Sequence, residues 1–480
     1  MPYTHYFWNI YTIAALWFLY AVLVLTCVVV VLRENRNPIR TLSWVIALIF
    51  LPYIGLIFYA FFGRSMRGQT MISRHNKRKL YGSQHSPHVD LNAQPLTPTE
   101  KQVVKLAHKV NRYPFTLNNR AQVFTTGTDK FAALKRDLQE ARESIYLQYY
   151  IFQDDCLGSE IAEILKEKAR QGLDVKVIYD HVGSFSSSNK FFASMRQAGV
   201  DAHPFFRVTF PQLANRINWR NHRKVVVIDR KVGYIGGMNI ADRYLGLQQD
   251  GSAWRDTHLR LEGDIVESLL YAFSIDWNFL KTDNLMLVER SVSGHEKNDT
   301  GMQLLTSGPT DDWDNLELTY LRAIAGAVKC VYIQTPYFLP TDSLLRALEA
   351  AALANVDVRI MLPSKCDSKM LQYAGFSYIT QCLKAGIKVY LYSPGMLHSK
   401  VMIVDDSFVT TGSVNFDFRS FENNFEGNLL IYDESLNRRM KDIFFADLAL
   451  CRKLTITAWR KRPLLHRFLE SLLRLLSPIL

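Results

Sequence analysis

The stretch NHRKVVVID at 221–229 returns, 176 residues later, as LHSKVMIVD at 397–405. Both copies read His-x-Lys-x4-Asp, giving His222, Lys224 and Asp229, then His398, Lys400 and Asp405. Each is followed at a matched distance by a glycine and an asparagine, in GGMN (236–239) and TGSVN (411–415). A single string of this kind means little, because most histidines in such strings are structural. Two copies at matched spacing point to one site built from two half-sites, with chemistry on a phosphoryl group.

Read as a β-strand, each copy places its histidine and lysine on one face and its aspartate, seven residues from the histidine, on the other. All six residues are candidates for the catalytic site. Within it, Asp229 and Asp405 are expected to anchor the scaffold rather than handle protons. Two facing imidazoles suit a two-step displacement at phosphorus, one attacking through Nε2 and the other protonating the departing alkoxide. Lys224 and Lys400 would neutralise the non-bridging oxygens, Asn239 and Asn415 would donate further hydrogen bonds, and glycines 236, 237 and 412 would let backbone approach the phosphate. No metal or cofactor is required. Each histidine also needs a carboxylate on its second nitrogen. Asp256, in WRDTH (254–258), and Glu426, in NFEGN (424–428), are the candidates, the alternative being surface carboxylates without a role.

Outward from the motifs, strands and helices alternate. SIYLQYYIF (144–152) and VKVIYD (175–180) predict strands around an amphipathic helix at 159–172; CVYIQTPYF (330–338) and VRIMLP (358–363) do the same around a helix at 342–355. The first strand of each unit runs through a glutamine, Gln148 or Gln334. A repeat of about 180 residues argues for two α/β domains related by a pseudo-twofold axis. The six cysteines are scattered with no CxxC, so neither a zinc pattern nor a disulfide framework is indicated.

The formal net charge of +12 points to an anionic partner, nucleic acid or acidic membrane. The N-terminus favours the membrane. Runs 10–32 and 41–63 carry no charge, and each is 23 residues long, against roughly 20 needed to cross the hydrocarbon core. They predict a transmembrane hairpin. Arg33, Arg36 and Arg40 lie between the runs, and Arg64, Arg67, Arg74, Lys77, Arg78 and Lys79 follow the second, which favours a cytoplasmic main domain by a modest margin. At the other end, AWRKRPLLHRFLESLLRLLSPIL (458–480) predicts a basic amphipathic helix, which either lies in an anionic interface or packs on its own domain. The expected division is a hairpin over 1–64, a basic juxtamembrane linker over 65–114, domains over 115–295 and 296–457, and the helix over 458–480.

The paired motif in a repeated α/β frame resembles the phospholipase D superfamily. The likeness covers nearly the whole chain: NPIRTLSWVIALIFLPYIGLIFYAFFGR (37–64) looks like the N-terminal membrane segment of bacterial cardiolipin synthases. NWRNHRKVVVIDRKVGYIGGMNIADRY (218–244) with WRDTH is similar to that family's first half-site. QTPYFLP (334–340), MLHSKVMIVDD and GSVNFDFRSFENNFEGN (412–428) resemble its second, and the closing SPIL its end. One departure is visible: Ser413 stands where the first copy has Gly237.

The resemblance implies two pseudo-twofold-related phospholipase D-like domains, each a mixed sheet flanked by helices, behind a transmembrane hairpin in the bacterial cytoplasmic membrane. It implies transfer of a phosphatidyl group between two phosphatidylglycerol molecules through a phosphatidyl-histidine, giving cardiolipin and glycerol. Superfamily habit assigns the attack to His222 and the acid role to His398; symmetry leaves the reverse open. Gln148, Gln334, Tyr337 and the Arg419–Ser420 pair look like pocket-lining positions, with ordinary packing as the alternative. Partners are phosphatidylglycerol and other anionic phospholipids of the membrane. A nuclease would call for basic strands interleaved with aromatics, and none is evident. A membrane-bound phospholipase D-type hydrolase shares every catalytic residue and is the main rival. A non-catalytic lipid-binding scaffold is disfavoured because both half-sites keep His, Lys and Asn.

Overall fold

The alternation read from the sequence is realised as a single sheet in the computed structural model, which describes residues 3–33, 38–51, 54–59, 63, 71, 89–208, 218–246, 254–280, 285 and 300–477. Two compact units are present, Met1–Met66 with Val208–Asn218, and Arg67–Arg207 with Trp219–Leu480.

In the larger unit the first half contributes β1 (Phe115–Phe124), β2 (Ser144–Tyr149), β3 (Asp174–Asp180), β4 (Asp201–Phe205), β5 (Val225–Ile228), β6 (Val232–Gly236) and β7 (His258–Gly263). The second contributes β8 (Thr300–Ser307), β9 (Cys330–Gln334), β10 (Phe338–Leu339), β11 (Asp357–Pro363), β12 (Lys388–Tyr392), β13 (Val401–Val404), β14 (Phe408–Gly412), β15 (Phe416–Asp417), β16 (Glu426–Tyr432) and β17 (Cys451–Lys453). Among the described residues, all but β10 and β15 join one sheet, in the order 17-12-11-9-13-14-16-8-1-7-6-5-2-3-4. Read from its outer edge inward, 4-3-2-5-6-7-1 is matched by 12-11-9-13-14-16-8. The pseudo-twofold axis therefore passes between β1 and β8, which pair antiparallel with Phe115 opposite Gln303.

Crossover helices Cys156–Arg170 and Asp342–Leu353 join parallel strands in each half, as the sequence period predicts. They cover one core per half: Leu147, Ile161, Leu165 and Val177 in the first, and Ile333, Leu344, Leu348 and Ile360 in the second. Burying each such side chain contributes about 1.5–3 kcal/mol.

The linker expected over 65–114 is shorter than that. TPTE (97–100) forms a capping box in which Thr97 and Glu100 satisfy each other's backbone amides, with Pro98 opening the helix Pro98–Asn111. Val103, Val104 and Ala107 of this helix belong to the second core. Residues 72–88, most of the basic stretch, lie outside the described residues.

The motif strands begin three residues after the histidines from which the parity argument starts them. β5 starts at Val225 and β13 at Val401, so His222, Lys224, His398 and Lys400 sit on the extended approach to each strand. The aspartates leave the strand at its far end in left-handed backbone, with φ 51° at both. Asp229 accepts the amides of Arg142, Glu143 and Ser144 at 2.8–2.9 Å. Asp405 accepts those of Val328, Lys329 and Cys330 at 2.7–3.2 Å. Each aspartate ties the end of its strand to the start of the neighbouring one, β2 or β9, far from its own histidine.

In the smaller unit the first apolar run is the helix Tyr3–Arg33, of which Ile10–Arg33 is long and apolar enough to cross a membrane. The second run differs from expectation. It is interrupted into helices Pro38–Phe50 and Ile54–Phe58, with Pro52 falling between them in sequence. Proline has no N–H for the carbonyl four residues before it. That carbonyl, on Leu48, instead accepts from the Tyr20 hydroxyl at 3.3 Å. Beyond the break the chain doubles back. The Tyr59 and Trp44 rings lie 5.4 Å apart, whereas fifteen residues of straight helix would separate them by about 22 Å. Gly55 is needed at the bend, because a Cβ there would lie 2.5 Å from the Ala47 carbonyl oxygen.

Candidate active site

Antiparallel pairing of β5 with β2 sets Val225 opposite Gln148, so His222 lies past the carboxyl end of β2. In the second half Val401 lies opposite Gln334, and His398 lies past the end of β9. Both histidines are then gripped by the opposite half. The His222 amide donates to the Phe425 carbonyl at 2.9 Å, and the Phe425 amide to the Arg220 carbonyl at 2.8 Å. Symmetrically, the His398 amide donates to the Arg255 carbonyl at 2.7 Å, and the Arg255 amide to the Met396 carbonyl at 2.9 Å.

The next residue in each gripping segment is a carboxylate. Glu426 reaches Nδ1 of His222 at 3.0 Å through both oxygens, and Asp256 reaches Nδ1 of His398 at 2.7 Å. Both carboxylates are completely buried. The two sequence candidates are therefore partners of the histidines, but crossed: each orients the histidine of the other half. With Nδ1 engaged, Nε2 is the nitrogen left for a substrate. The ring of Tyr150 meets His222 edge-on with centroids 4.9 Å apart, and Trp254 flanks His398 at 5.0 Å.

Further ties brace the same joint. Arg223 pairs with Asp276 at 2.8 Å and donates to the Glu426 carbonyl at 3.0 Å. Arg255 pairs with Asp447 at 2.7 Å, and Thr257 and Ser399 share a hydrogen bond at 2.6 Å. Asp180, at the end of β3, accepts the Asn221 amide at 2.9 Å and the Arg220 guanidinium at 3.2 Å, which shapes the approach to His222. Of these groups the sequence offered only faint signals: an aspartate closing the apolar strand VKVIYD, and tryptophan inside WRDTH.

The two half-sites differ electrostatically. Glu426 also accepts from the Ser413 hydroxyl and from the Asn424 amide at 3.2 Å. Burial alone would raise its pKa, but His222, Lys224 and Ser413 outweigh that and hold it below the usual carboxylate range. Gly237 occupies the place equivalent to Ser413, and a Cβ there would lie 2.2 Å from an Asp256 oxygen. Asp256 thus gains no hydroxyl donor, and burial pushes it up to about 6 against the pull of Lys400 and the Thr257 amide. The serine–glycine difference between the copies is a difference in what each carboxylate needs. The expected role of these glycines changes too: Gly237 makes room for Asp256, Gly236 for the His258 side chain and Gly412 for the Gly427–Asn428 backbone.

Burial lowers His222 to about 4, with Glu426 opposing and Lys224 assisting. Burial and then Lys400 and Lys224 hold His398 well below its ordinary value. Lys224 is likewise depressed by burial, and Lys400 falls to about 8. Lys224 donates to the His222 carbonyl at 2.6 Å; Lys400 contacts its own histidine's carbonyl and lies 2.8 Å from Nδ1. Two imidazoles and two buried amines converge, a set of hydrogen-bond donors and proton carriers suited to a phosphodiester anion.

Several candidates lie elsewhere than expected. Gln148 donates to Asp276 at 2.6 Å and Gln334 to Asp447 at 2.8 Å, so both are buried struts beneath the site rather than pocket lining. Asn239 spends its side chain on the Ile151 amide (3.1 Å) and the Tyr244 hydroxyl (3.1 Å), the latter 3.3 Å from His398; it supports the site instead of facing a phosphate. Ser420 accepts the Asn415 amide at 3.2 Å and is itself buried, again a scaffold role. The Asn415 side chain makes no hydrogen bond among the described residues and keeps its carbonyl oxygen unpaired. Tyr337 reaches Asp367 at 2.8 Å beyond the end of β9.

Comparison with known proteins identifies the family. The chain matches the family described as cardiolipin synthase, PLD-like domain, over 134–271 and 320–448, one match per half, and the phospholipase D-nuclease N-terminal family over 22–64. It is 37% identical to the major cardiolipin synthase ClsA of Bacillus subtilis over 95% of this chain and 97% of that one. The chain belongs to the cardiolipin synthase family. Cardiolipin synthase 2 of Bacillus anthracis is 39% identical, over 94% of this chain and 89% of its own. Among solved structures, phosphatidylserine synthase of Haemophilus influenzae shares the fold at a TM-score of 0.62 and 16% identity, covering 79% of this chain and 100% of that one.

A site whose basic groups are depressed by burial when empty takes up protons when an anion enters. Phosphate between the two lysines offsets their effect on the imidazoles and raises the depressed histidine pKa values. Calorimetric titration with inorganic phosphate near pH 6 should show heats that vary with buffer ionisation enthalpy, reporting uptake of up to about one proton. Heats independent of the buffer would contradict this electrostatic account.

Proposed function

We propose that this protein is a cardiolipin synthase that works by two-step phosphatidyl transfer in a bacterial membrane. The crossed pairing of each histidine with the other half's buried carboxylate carries the reading, since it leaves two oriented imidazoles with free Nε2 atoms beside two buried amines. In the first step Nε2 of His222 attacks the phosphorus of one phosphatidylglycerol. An N–P bond forms, the P–O bond to the headgroup glycerol breaks, and His398 gives its proton to the departing oxygen. In the second step a hydroxyl of another phosphatidylglycerol's headgroup passes its proton to His398 and attacks the same phosphorus. The N–P bond breaks, its electron pair returns to His222, and cardiolipin leaves. Lys224 and Lys400 balance the charge on the non-bridging oxygens.

Purified protein in micelles of phosphatidylglycerol should yield cardiolipin and glycerol by mass spectrometry. Phosphatidic acid as sole product would assign the protein to the hydrolases instead. His222→Ala should abolish the covalent phosphatidyl-enzyme, and an adduct that survives on His398 would reverse the roles of the two histidines.

The doubled-back second apolar segment supports a membrane arrangement of one crossing, by the helix ending at Arg33, followed by a re-entrant hairpin. The helix Pro38–Phe50 spans about 20 Å, short of the roughly 30 Å hydrocarbon core. A segment that returns to the level of Trp44 leaves on the side it entered. Arg33, Arg36 and Arg40 then share one side with Arg64, Arg67, Arg74, Lys77, Arg78 and Lys79, a strong bias toward the cytoplasm. The catalytic unit follows on that side. An impermeant maleimide should label Asn35→Cys only in inverted vesicles and Thr4→Cys only in intact spheroplasts. The opposite pattern would restore two full crossings.

A further inference from the structure

The helix Leu464–Arg474 is mounted with its apolar face outward. At about 100° per residue, Leu464, Leu465, Phe468, Leu472 and Leu475 fall within about 100° of arc, and all are 47–77% exposed. The face turned to the protein is mixed, with polar groups making its specific contacts. His466 meets the Tyr373 ring at 5.7 Å, Arg474 lies 4.3 Å over Tyr378, and the buried Glu470 pairs with Arg462. Leu469, Leu473 and Leu476, on the side turned to the domain, are half-buried. An amphipathic helix that serves its own domain points its apolar stripe at the core. This one offers five large apolar side chains to its surroundings while spending charged and aromatic contacts on its seat.

Its position is as informative as its orientation. The pairs 373 with 466 and 378 with 474 show that the helix runs alongside Lys369–Lys384 in the same direction. Lys369–Lys384 starts just past the carboxyl end of β11, after Asp367, which holds Tyr337 beyond the end of β9. That is the end of the sheet where His398 lies. The leading part of the apolar face, Leu464, Leu465 and Phe468, is thus at the active-site end, as is the exposed Met370. Arg460, Lys461 and Arg467 border it and are exposed.

We propose that this face is a membrane-docking surface that seats the catalytic unit on an anionic bilayer with its active-site end toward the lipid, independently of the N-terminal segment. The occupant is a lipid surface because the apolar stripe is ringed by cations and by no exposed carboxylate of its own helix, the pattern that inserts at an anionic interface. Docking would bring headgroup phosphates within reach of the two imidazoles without drawing the whole lipid from the bilayer. The docking rests on the helix geometry and not on which phospholipid reaction the site performs.

The test uses the full-length protein in phosphatidylglycerol-containing vesicles. Phe468→benzoylphenylalanine should crosslink to phospholipid on irradiation, while the same reporter at the exposed Gln171, at the far end of the sheet, should not. The triple variant Leu465→Glu, Phe468→Glu, Leu472→Glu should lose roughly tenfold in turnover on vesicles yet keep its turnover on dispersed short-chain phosphatidylglycerol. A crosslink from position 468 to a second copy of the chain would overturn the proposal and assign the face to a dimer. Absence of any lipid adduct at 468 would also overturn it, whether or not the triple variant folds. Loss of dispersed-substrate turnover in the wild-type protein would count against the enzymatic reading alone.

Discussion

Each motif histidine, His222 and His398, is held by a carboxylate that belongs to the other half of the molecule. Glu426 and Asp256 are completely buried, and a buried carboxylate is tolerable only where it is paired and hydrogen-bonded. The imidazoles, lysines and backbone amides around them provide that compensation, so the site and the joint between the halves stabilise each other. The continuous sheet across β1 and β8 brings the segments together. The backbone grips at Phe425 and Arg255, with the Arg223–Asp276 and Arg255–Asp447 pairs, fix them to within a hydrogen-bond length. Neither half has an oriented histidine by itself. This is a physical reason for a duplicated motif to stay in one chain.

The symmetry is broken where chemistry benefits from difference. His222, Lys224 and, to a lesser extent, Ser413 hold Glu426 below the usual carboxylate range beside the imidazole proposed as the attacking group. Gly237 leaves Asp256 with one fewer donor, and burial pushes that carboxyl to about 6, beside the histidine proposed to give and retake a proton. Groups whose environments move their proton affinities apart are the usual basis for assigning acid and nucleophile roles. Here the divergence follows chiefly from what faces each buried carboxylate, His222 and Lys224 for Glu426, with the Ser413 hydroxyl adding to it.

Much of this was legible in the sequence, because the motif residues are close in the chain and the strand period is short. His222, Lys224, His398, Lys400 and the carboxylates Asp256 and Glu426 are the residues the structure brings together, and the two aspartates of the motif bind backbone amides away from them. The crossing of the pairs was not legible, since the distance along the chain favours neither arrangement. For Gln148 and Gln334 the resemblance suggests pocket lining and leaves ordinary packing open; their partners, Asp276 and Asp447, lie 128 and 113 residues away on helices. Asn239 was read as a phosphate donor for its matched spacing with Asn415, yet its amide is spent on Ile151 and Tyr244. Pro52 was visible within the second apolar run, but uniform hydropathy masked its consequence. The C-terminal helix shows the same limit: periodicity identifies an apolar face and says nothing of which way it turns.

The crossed pairing can be observed directly by nitrogen NMR of the histidine side chains in the wild-type protein, in Glu426→Gln and in Asp256→Asn. Removing the charge at Glu426 should shift the Nδ1 signal of His222 and leave that of His398 nearly in place, and Asp256→Asn should do the reverse. Shifts at His398 on altering Glu426, or at neither histidine, would contradict the reciprocal clamp on which the account depends.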